Sequence, residues 1–226
     1  MSRKPLNDAQ IVDSWHKNAS PWTAAVRENQ IASRALVTNK AIVDAVLSRS
    51  PRTVLDIGCG EGWLARALAD HGIQAIGVDV VPELIEQARS AGGGQFSVAS
   101  YESISAGDLD FTVDVAVANF SLIGKESVEG VIGRAPSLLN DGGSFIIQTL
   151  HPVASCGDEH YADGWRAGSW AGFSPEFSDP APWYFRTMES WERILAEAGF
   201  KIVERREPLH PETAKPASVI FIAEPT

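Results

Sequence analysis

Apolar residues along the chain fall into short continuous runs, separated by stretches in which they recur at helical spacing. A strand covered on both faces of a parallel sheet produces such a run, and an amphipathic helix produces such a spacing. The pattern therefore predicts strands alternating with helices through the first two thirds of the chain. The predicted strands are 54–57, 75–78, 96–99, 113–118 and 144–149.

Three amphipathic helices are predicted between these strands. The first begins at Trp63 and ends at Gly72, and the second begins at Pro82 and ends at the glycines 92–94. Proline suits the first turn of a helix, and glycine suits the position just after its end. The third helix has its apolar stripe between residues 128 and 139, and an Asn-Asp-Gly-Gly run stops it. This alternation is typical of βαβ units in a parallel sheet.

The alternation ends after residue 150. Segment 151–186 has no clear periodicity but is rich in aromatic residues, which argues against disorder. An irregular segment of this length inside a compact domain is usually functional. A further helix is predicted to begin near Met188, and two strands, 201–207 and 218–223, follow it. Their connecting loop is short enough for antiparallel pairing.

The turn after the first strand is the most informative stretch. Residues 54–62 read Val-Leu-Asp-Ile-Gly-Cys-Gly-Glu-Gly, so an apolar strand runs directly into three glycines. Glycine accepts positive φ and lets the backbone approach a ligand closely. Asp79 ends the second strand about twenty residues later, where nucleotide-binding folds place a carboxylate for ribose hydroxyls. Together these features predict a nucleoside-containing cofactor.

The spacing of the glycines bears on which cofactor is bound. A dinucleotide turn has the pattern G-x-G-x-x-G, and its third glycine gives the pyrophosphate access to the backbone. Trp63 occupies the place of that third glycine here. A large indole at this position argues against a pyrophosphate, so an NAD-dependent oxidoreductase is the less favoured alternative.

Composition narrows the classes of partner and site. The formal net charge of −10 opposes binding to a nucleic-acid backbone, so we expect no nucleic-acid partner. Cys59 and Cys156 lie far apart, and no His, Asp or Glu cluster has the spacing of metal ligands, so we expect no metal. The first residues are polar and no apolar run is long enough for a membrane span, which leads us to expect a cytoplasmic protein.

The D-x-G-x-G-x-G run at residues 56–62 resembles the first motif of the class I S-adenosylmethionine (AdoMet)-dependent methyltransferases. The resemblance extends over about residues 40–224. It implies an α/β fold, a Rossmann-like seven-stranded, mostly parallel sheet with helices on both faces and one antiparallel strand in a C-terminal hairpin. We expect an N-terminal helical cap at 1–40 and the methyltransferase domain at 41–226, with an aromatic lid inserted at about 151–186.

The same resemblance implies AdoMet as cofactor and S-adenosylhomocysteine as product. We expect the glycine turn to face the amino-acid portion of AdoMet and Asp79 to accept both ribose hydroxyls. Residues after the second and third strands would contact the adenine, and those after the fourth strand would face the methionine end. The predicted cofactor contacts are Gly58, Cys59, Gly60, Asp79, Val80, Ser100, Tyr101, Asn119 and Phe120.

The segment upstream of the domain resembles the N-terminal cap of small-molecule methyltransferases near the quinone-biosynthesis O-methyltransferases. In those proteins an arginine just before the domain holds the AdoMet carboxylate, and Arg34 matches it best. The alternative is that Arg34 is a solvated surface charge. Trp15 and Trp22 either pack in the core of the cap or form a wall of the substrate site.

His151 ends the fifth strand, at the edge of the sheet where open α/β folds bind ligands. An imidazole there would accept a proton from the attacking group, or it would anchor the lid by a hydrogen bond. Tyr184 is the second catalytic candidate. Tyr161, Trp165 and Arg166 in the aromatic segment are predicted to line a substrate pocket.

These observations predict an enzyme that transfers the AdoMet methyl group to an O, N or C nucleophile of a small, partly aromatic or apolar acceptor. The sulfonium makes the methyl group electrophilic, so the protein mainly aligns the reactants and removes one proton. We expect a monomer or a homodimer. The alternative from another class is a non-catalytic AdoMet-binding or partner-binding module.

Overall fold

The computed structural model describes residues 5–226, so the first four residues of the predicted cap lie outside it. Seven strands form one sheet in the order β3-β2-β1-β4-β5-β9-β8, and β6 and β7 form a separate two-stranded ribbon. The strands are β1 (Thr53–Ile57), β2 (Gln74–Asp79), β3 (Gln95–Val98), β4 (Val113–Asn119), β5 (Leu139–Thr149), β6 (Gly164–Arg166), β7 (Trp183–Phe185), β8 (Phe200–Arg206) and β9 (Val219–Pro225).

The pairing of the strands confirms the predicted sheet. Strands β1 to β5 pair in parallel. Strand β9 runs antiparallel to both of its neighbours, β5 and β8. The chain crosses from one half of the sheet to the other between β1 and β4, which lie side by side. In open α/β sheets a ligand crevice opens at such a switch point, outside the carboxyl ends of the strands.

Helices cover both faces of the sheet. Helices α6 and α8 pack on one face through side chains such as Val131 and Leu195, and α2 and α3 pack on the other through Ile42 and Leu64. The helices are α1 (Asp8–Arg27), α2 (Asn39–Leu47), α3 (Trp63–Ala69), α4 (Pro82–Ala91), α5 (Tyr101–Ala106), α6 (Glu126–Arg134), α7 (Pro152–Cys156) and α8 (Met188–Glu197). A π-helix, Arg34–Thr38, leads into α2, and a 3₁₀ turn, Ala135–Leu138, follows α6.

The predicted N-terminal cap is built on the long helix α1. The side chain of Asn7 accepts a hydrogen bond from the backbone N–H of Gln10, and the backbone N–H of Asn7 donates to the side chain of Gln10, so a capping box starts the helix. Ala19 of α1 packs against Val81 and Leu84, which places the helix beside α4 and next to the carboxyl end of β2. Across residues 5–226, no helix combines the length and apolar character that a bilayer span requires.

Three local expectations were wrong. Strand β5 begins at Leu139 rather than at residue 144, because the Asn-Asp-Gly-Gly run forms an irregular start that pairs Leu139 with Val113. Helix α5 was not predicted, because it has only six residues and its one sequence signal is the capping residue Ser100, whose side chain accepts the Ser103 N–H. The lid is more regular than its sequence predicted, since it contains α7 and the β6–β7 ribbon.

Candidate functional site

The glycine turn between β1 and α3 packs too tightly for side chains at its first position. Gly58 has a φ of 73°, and a Cβ added there would collide with the side chain of Ser121, which follows β4. The N–H groups of Gly58 and Cys59 both donate to the carbonyl oxygen of Val78, at 2.8 and 3.0 Å. These N–H groups are therefore engaged inside the protein, and the turn offers a ligand its carbonyl oxygens.

Asp79 is fixed across this turn. Its Oδ2 accepts the Gly60 N–H and its Oδ1 accepts the Val81 N–H, both at 2.9 Å. Burial raises the pKa of Asp79, and the hydrogen bonds from Val81 and Gly60 oppose that shift. Each carboxylate oxygen still has a lone pair for a further donor. The pair of oxygens thus forms a rigid acceptor at the carboxyl end of β2.

Two acidic residues of the glycine run were not among the predicted site residues. Asp56 is buried, and burial with the nearby charge of Asp79 raises its pKa to about 7, while Arg34 opposes the shift. Glu61 is also buried and pairs with Arg27 of α1 at 2.9 Å and with Arg66 of α3 at 2.6 Å. Glu61 therefore ties the cap to the turn. In the sequence, the feature that could have identified both residues is a carboxylate inside an apolar, glycine-rich run.

A first cavity lies over the turn, with an empty volume of ≈ 930 Å³ including its mouth. The carboxyl ends of β1, β2 and β4 form its floor, and α1 forms its roof. It brings together most of the predicted cofactor contacts and both cap tryptophans. The predicted residues on its wall are Trp15, Trp22, Gly58, Gly60, Asp79, Val80, Tyr101, Asn119 and Phe120.

Three predicted cofactor residues do not line this cavity: Arg34, which lines the second cavity described below, Cys59 and Ser100. The thiol of Cys59 is buried against the apolar cluster under the turn, and burial raises its pKa. Ser100 caps α5 instead, accepting the Ser103 N–H at 3.1 Å. Tyr101 does reach the cavity, but its hydroxyl donates to the Ser121 carbonyl oxygen at 3.0 Å. The ring of Tyr101, rather than its hydroxyl, is therefore available to a ligand.

Arg34 lies between two indole rings at the start of the π-helix. Its guanidinium is 5.4 Å from the ring centre of Trp22 and 5.0 Å from that of Trp63. Burial lowers its pKa to about 10, and the charges of Glu61 and Asp56 oppose that shift. Arg34 is therefore not a solvated surface charge. Single π-helical turns occur often at functional sites, where they redirect a side chain.

A second cavity adjoins the first and has an empty volume of ≈ 1010 Å³ including its mouth. About half of the residues on its wall are aromatic, and Arg34, Tyr184 and Arg186 also line it. The two cavities share Trp15, Trp22, Phe120 and Ile123. Ligands bound in the two cavities would therefore lie next to each other at these four residues.

The remaining predicted substrate and catalytic residues lie outside both cavities. His151 is buried, its Nδ1 accepts the Ala154 N–H at 3.4 Å, and its Nε2 is 3.5 Å from Oε2 of Glu207. These contacts favour the lid-anchor interpretation over the base. The hydroxyl of Tyr161 accepts the Met188 N–H at 2.9 Å at the start of α8.

Trp165 and Arg166 support the ribbon of the lid. The Arg166 guanidinium lies 3.6 Å from the ring centre of Phe185 and donates to the carbonyl oxygens of Cys156 and His160. Trp165 packs edge-on against Tyr184, with ring centres 5.6 Å apart. These two side chains therefore act on the second cavity through the residues they support.

Arg186 was missed by sequence reasoning, and no local motif marks it. Its Nη1 donates to the Gly124 carbonyl oxygen at 2.7 Å, and its guanidinium lies 4.8 Å from the ring centre of Tyr184. Burial lowers its pKa. Arg186 therefore places a buried positive charge in the wall of the second cavity.

The lid is latched to the cap helix. The side chain of Asn18 pairs with both backbone groups of Ser178, donating to its carbonyl oxygen at 2.8 Å and accepting its N–H at 2.9 Å. The Ser14 hydroxyl donates to the Asp179 carbonyl oxygen at 2.6 Å. Trp15 packs edge-on against Trp170 of the lid at 5.8 Å. Cap and lid thus close the second cavity together.

Residues 31–205 match the family model of a methyltransferase domain. An uncharacterized methyltransferase of Schizosaccharomyces pombe is 28% identical over 174 residues, which are 72% of this chain and 64% of that protein. A ubiquinone biosynthesis O-methyltransferase of Xanthomonas campestris pv. campestris is 32% identical over 103 residues, 43% of each chain. The chain thus spans less than two thirds of either relative.

Solved structures share the fold. The crystal structure of an S-adenosylmethionine-dependent methyltransferase from Mesorhizobium loti superimposes with a TM-score of 0.61 at 21% identity. The superposition covers 81% of this chain and 95% of that one.

Proposed function

The chain belongs to this methyltransferase domain family, and from that premise we propose that it is an AdoMet-dependent methyltransferase acting on a small-molecule acceptor. The observation that carries the proposal is the pair of adjoining cavities. One lies over the glycine turn and Asp79, and about half of the residues on the wall of the other are aromatic. A bound cofactor and a bound acceptor would meet at Trp22 and Phe120.

The residues of the first cavity fit the chemical groups of AdoMet. The two oxygens of Asp79 suit a ribose diol, because each keeps a lone pair beyond its backbone bond. Val80 and Leu84 offer apolar surface to an adenine ring. The carbonyl groups of the turn suit an ammonium group, and Arg34, on the adjoining wall of the second cavity, suits a carboxylate.

Bound AdoMet supplies a methyl group that is electrophilic without further activation. The protein's own contribution is alignment and the exclusion of water. Trp15 and Trp22 from the cap and Phe120 after β4 form the shared wall at which the two ligands would touch. The latch between Asn18 and Ser178 would keep this region closed during transfer.

Two alternatives fit the structure less well. For an NAD-dependent oxidoreductase, the indole of Trp63 occupies the start of α3 and stacks against Arg34, where a pyrophosphate would need access to the backbone. For a non-catalytic AdoMet-binding module, the second cavity would have no purpose. The adjoining aromatic cavity therefore favours an enzyme.

Calorimetry on the purified protein tests the proposal. We expect AdoMet to bind at micromolar affinity and NAD to bind poorly. Asp79→Ala should weaken AdoMet binding about ten- to a hundredfold, since a hydrogen bond to a charged group contributes about 1.5–3 kcal/mol. Asp110→Ala is the matched control, because Asp110 is exposed, and it should leave affinity unchanged. Saturable NAD binding with no AdoMet signal would contradict the proposal.

A further inference from the structure

The second cavity has an unusual set of ionisable groups for a site that is expected to hold a nucleophile. Within residues 5–226, its wall contains Arg34, Arg186 and Tyr184 but no histidine, aspartate, glutamate or lysine. The wall therefore carries positive charge and offers no carboxylate or imidazole as a proton acceptor. His151, the predicted base, faces Ala154 and Glu207 instead.

The orientation of the Asn119 amide adds an independent constraint in the first cavity, beside the shared residue Phe120. The side-chain nitrogen of Gln148 lies 3.1 Å from the carbonyl oxygen of Thr38, which can only accept. The same nitrogen lies 2.6 Å from Oδ1 of Asn119. Ser218 donates to the remaining oxygen of Gln148 at 3.1 Å.

This chain of bonds fixes which end of the Asn119 amide is free. Because the Thr38 carbonyl requires an N–H, the atom of Gln148 that faces Asn119 is a donor, and the Asn119 atom that it meets is the oxygen. The amide N–H₂ of Asn119 is then the end left for a ligand, since Asn119 lines the first cavity beside Phe120. An N–H donor favours a ligand oxygen over a protonated amine.

From these observations we infer the class of acceptor, an inference that rests on the proposed function. The acceptor is a planar aromatic molecule that bears an oxygen acid ionised at neutral pH, and the anionic oxygen is the atom methylated. The aromatic wall fits the ring, and the buried Arg186 favours the negative charge, whereas Arg34 is engaged by the cofactor carboxylate. The Asn119 amide, next to the shared residue Phe120, donates to the anionic oxygen of the acceptor.

The absence of a base from the described wall agrees with this class. The anionic oxygen forms a bond to the methyl carbon, the carbon–sulfur bond breaks, and its electron pair stays on sulfur as a neutral thioether. No proton is released, so no base is required. Carboxylic acids, with pKa values of about 4, meet this condition, whereas an ammonium group would first have to lose a proton to a partner.

The acidic groups near the second cavity leave its positive charge largely in place. Glu129 lies 3.6 Å from the Arg186 guanidinium, but its side chain is 46% exposed and its charge is therefore partly screened by water. Asp8 and Glu102 line the first cavity, not the second. The carboxylate of Asp8 also accepts hydrogen bonds from the backbone N–H groups of Lys125 and Ser127, which stabilise its negative charge locally.

Three probes that share one ring and differ in charge test the inference. Binding of 2-naphthoate, 2-naphthol and 2-naphthylmethylammonium is measured at neutral pH by calorimetry on protein saturated with S-adenosylhomocysteine. We expect naphthoate to bind at least about tenfold more tightly than either of the others, because an uncompensated charge or an unmatched donor costs about 1.4 kcal/mol or more. Equal affinities, tighter binding of the ammonium probe, or no saturable naphthoate binding would overturn the inference.

A variant with the same shape separates charge complementarity from ring size. Asn119→Asp keeps the oxygen that accepts from Gln148 and replaces the N–H₂ by a second oxygen, so the preference between naphthoate and the ammonium probe should fall at least about tenfold. Asn29→Asp is the control, since Asn29 is exposed. This variant should show the same preference for naphthoate over the ammonium probe as the parent protein. An unchanged preference in Asn119→Asp would overturn the assigned amide orientation.

The same experiments separate this inference from the proposed function. If S-adenosylhomocysteine and AdoMet do not bind, the proposed function itself fails. If they bind but the enzyme methylates naphthol or the amine in preference to naphthoate, the function stands and the acceptor class is wrong. A base-labile methyl ester formed from naphthoate and labelled AdoMet would support both.

Discussion

At the scale of single residues, Asp56 shows how burial under the glycine turn favours the protonated form of a carboxyl group. Burial raises its pKa from 3.8 to about 7. The folded protein therefore holds a proton on this carboxyl over a pH range in which the unfolded chain has released it. The resulting stabilisation is complete below the unfolded pKa and is lost as the pH rises through the folded pKa.

The raised pKa of Asp56 leads to a pH-dependent prediction for the stability of Asp56→Asn. The amide removes the cost of a buried negative charge, so the ligand-free variant should be more stable than the parent at pH 8. A gain of up to about 4 kcal/mol is expected, since each unit of pKa shift corresponds to about 1.4 kcal/mol and the opposing effect of Arg34 is already contained in the raised pKa. Urea unfolding measures it, and the gain should shrink steadily toward pH 4. An equal gain at every pH would contradict a raised pKa.

A second prediction at this scale concerns Arg34. Arg34→Ala should weaken AdoMet binding about ten- to a hundredfold, because it removes a charge-assisted hydrogen bond to the cofactor carboxylate. Arg34→Lys should restore affinity only in part, since the planar fork and its stacking on Trp22 and Trp63 are lost. Calorimetry measures both. Arg52→Ala, at an exposed position, is the control, and an unaffected AdoMet affinity in Arg34→Ala would remove the assignment.

The sequence was sufficient to place residues at strand ends, but not to predict the direction of their side chains. Gly58 and Asp79 are tied to strand ends at fixed spacing, so the chain alone indicates where they lie. His151 follows β5 by two residues, but it caps α7, which directs its ring toward Ala154 and Glu207. The direction of a side chain after a strand depends on the next element, and short elements have weak signals.

At the scale of elements, the lid and helix α1 act as one closing device. Asn18 is fully buried and pairs with both backbone groups of Ser178, whereas Lys17 on the same helix reaches the adjacent Asp179 through an exposed ion pair. A buried bond left unmade is costly, but an exposed ion pair contributes little. Asn18 is therefore expected to control whether the lid stays docked.

Asn18→Ala tests this expectation. The variant should expose the backbone of residues 169–180 and speed their amide hydrogen exchange by about tenfold or more, because losing buried hydrogen bonds costs about 1–3 kcal/mol. Probe binding in the second cavity should weaken more than AdoMet binding. Lys17→Ala is the matched control and should exchange like the parent protein. Similar exchange in both variants would show that the latch is not the controlling contact.

The elements most accurately predicted were those with strong periodicity on a buried sheet. Strands β1, β2 and β4 were found because a fully covered strand is apolar at nearly every position. The ribbon of β6 and β7 escaped detection, since three-residue strands have too few positions to show alternation. Its stability comes from aromatic packing such as Trp165 on Tyr184, which is a tertiary contact.

At the scale of the whole molecule, the sheet, the cap and the lid meet around the two cavities. Glu61 joins the glycine turn to α1 through Arg27, and Asn18 joins α1 to the lid. The cap therefore contacts both the cofactor side and the acceptor side of the site. Ligand binding should consequently stabilise the molecule beyond the residues that the ligand touches.

Thermal unfolding provides the test at this scale. At a free concentration of about one hundred times its Kd, AdoMet should add about 2.7 kcal/mol by mass action, which corresponds to a rise of about 5–10 °C in Tm for a chain of this length. Asp79→Ala at the same AdoMet concentration should show a much smaller rise, because its Kd is higher. Hydrogen exchange in AdoMet should slow in α1 as well as in the glycine turn, since Glu61 couples them. Slowing confined to the turn would show that the cap does not sense the cofactor.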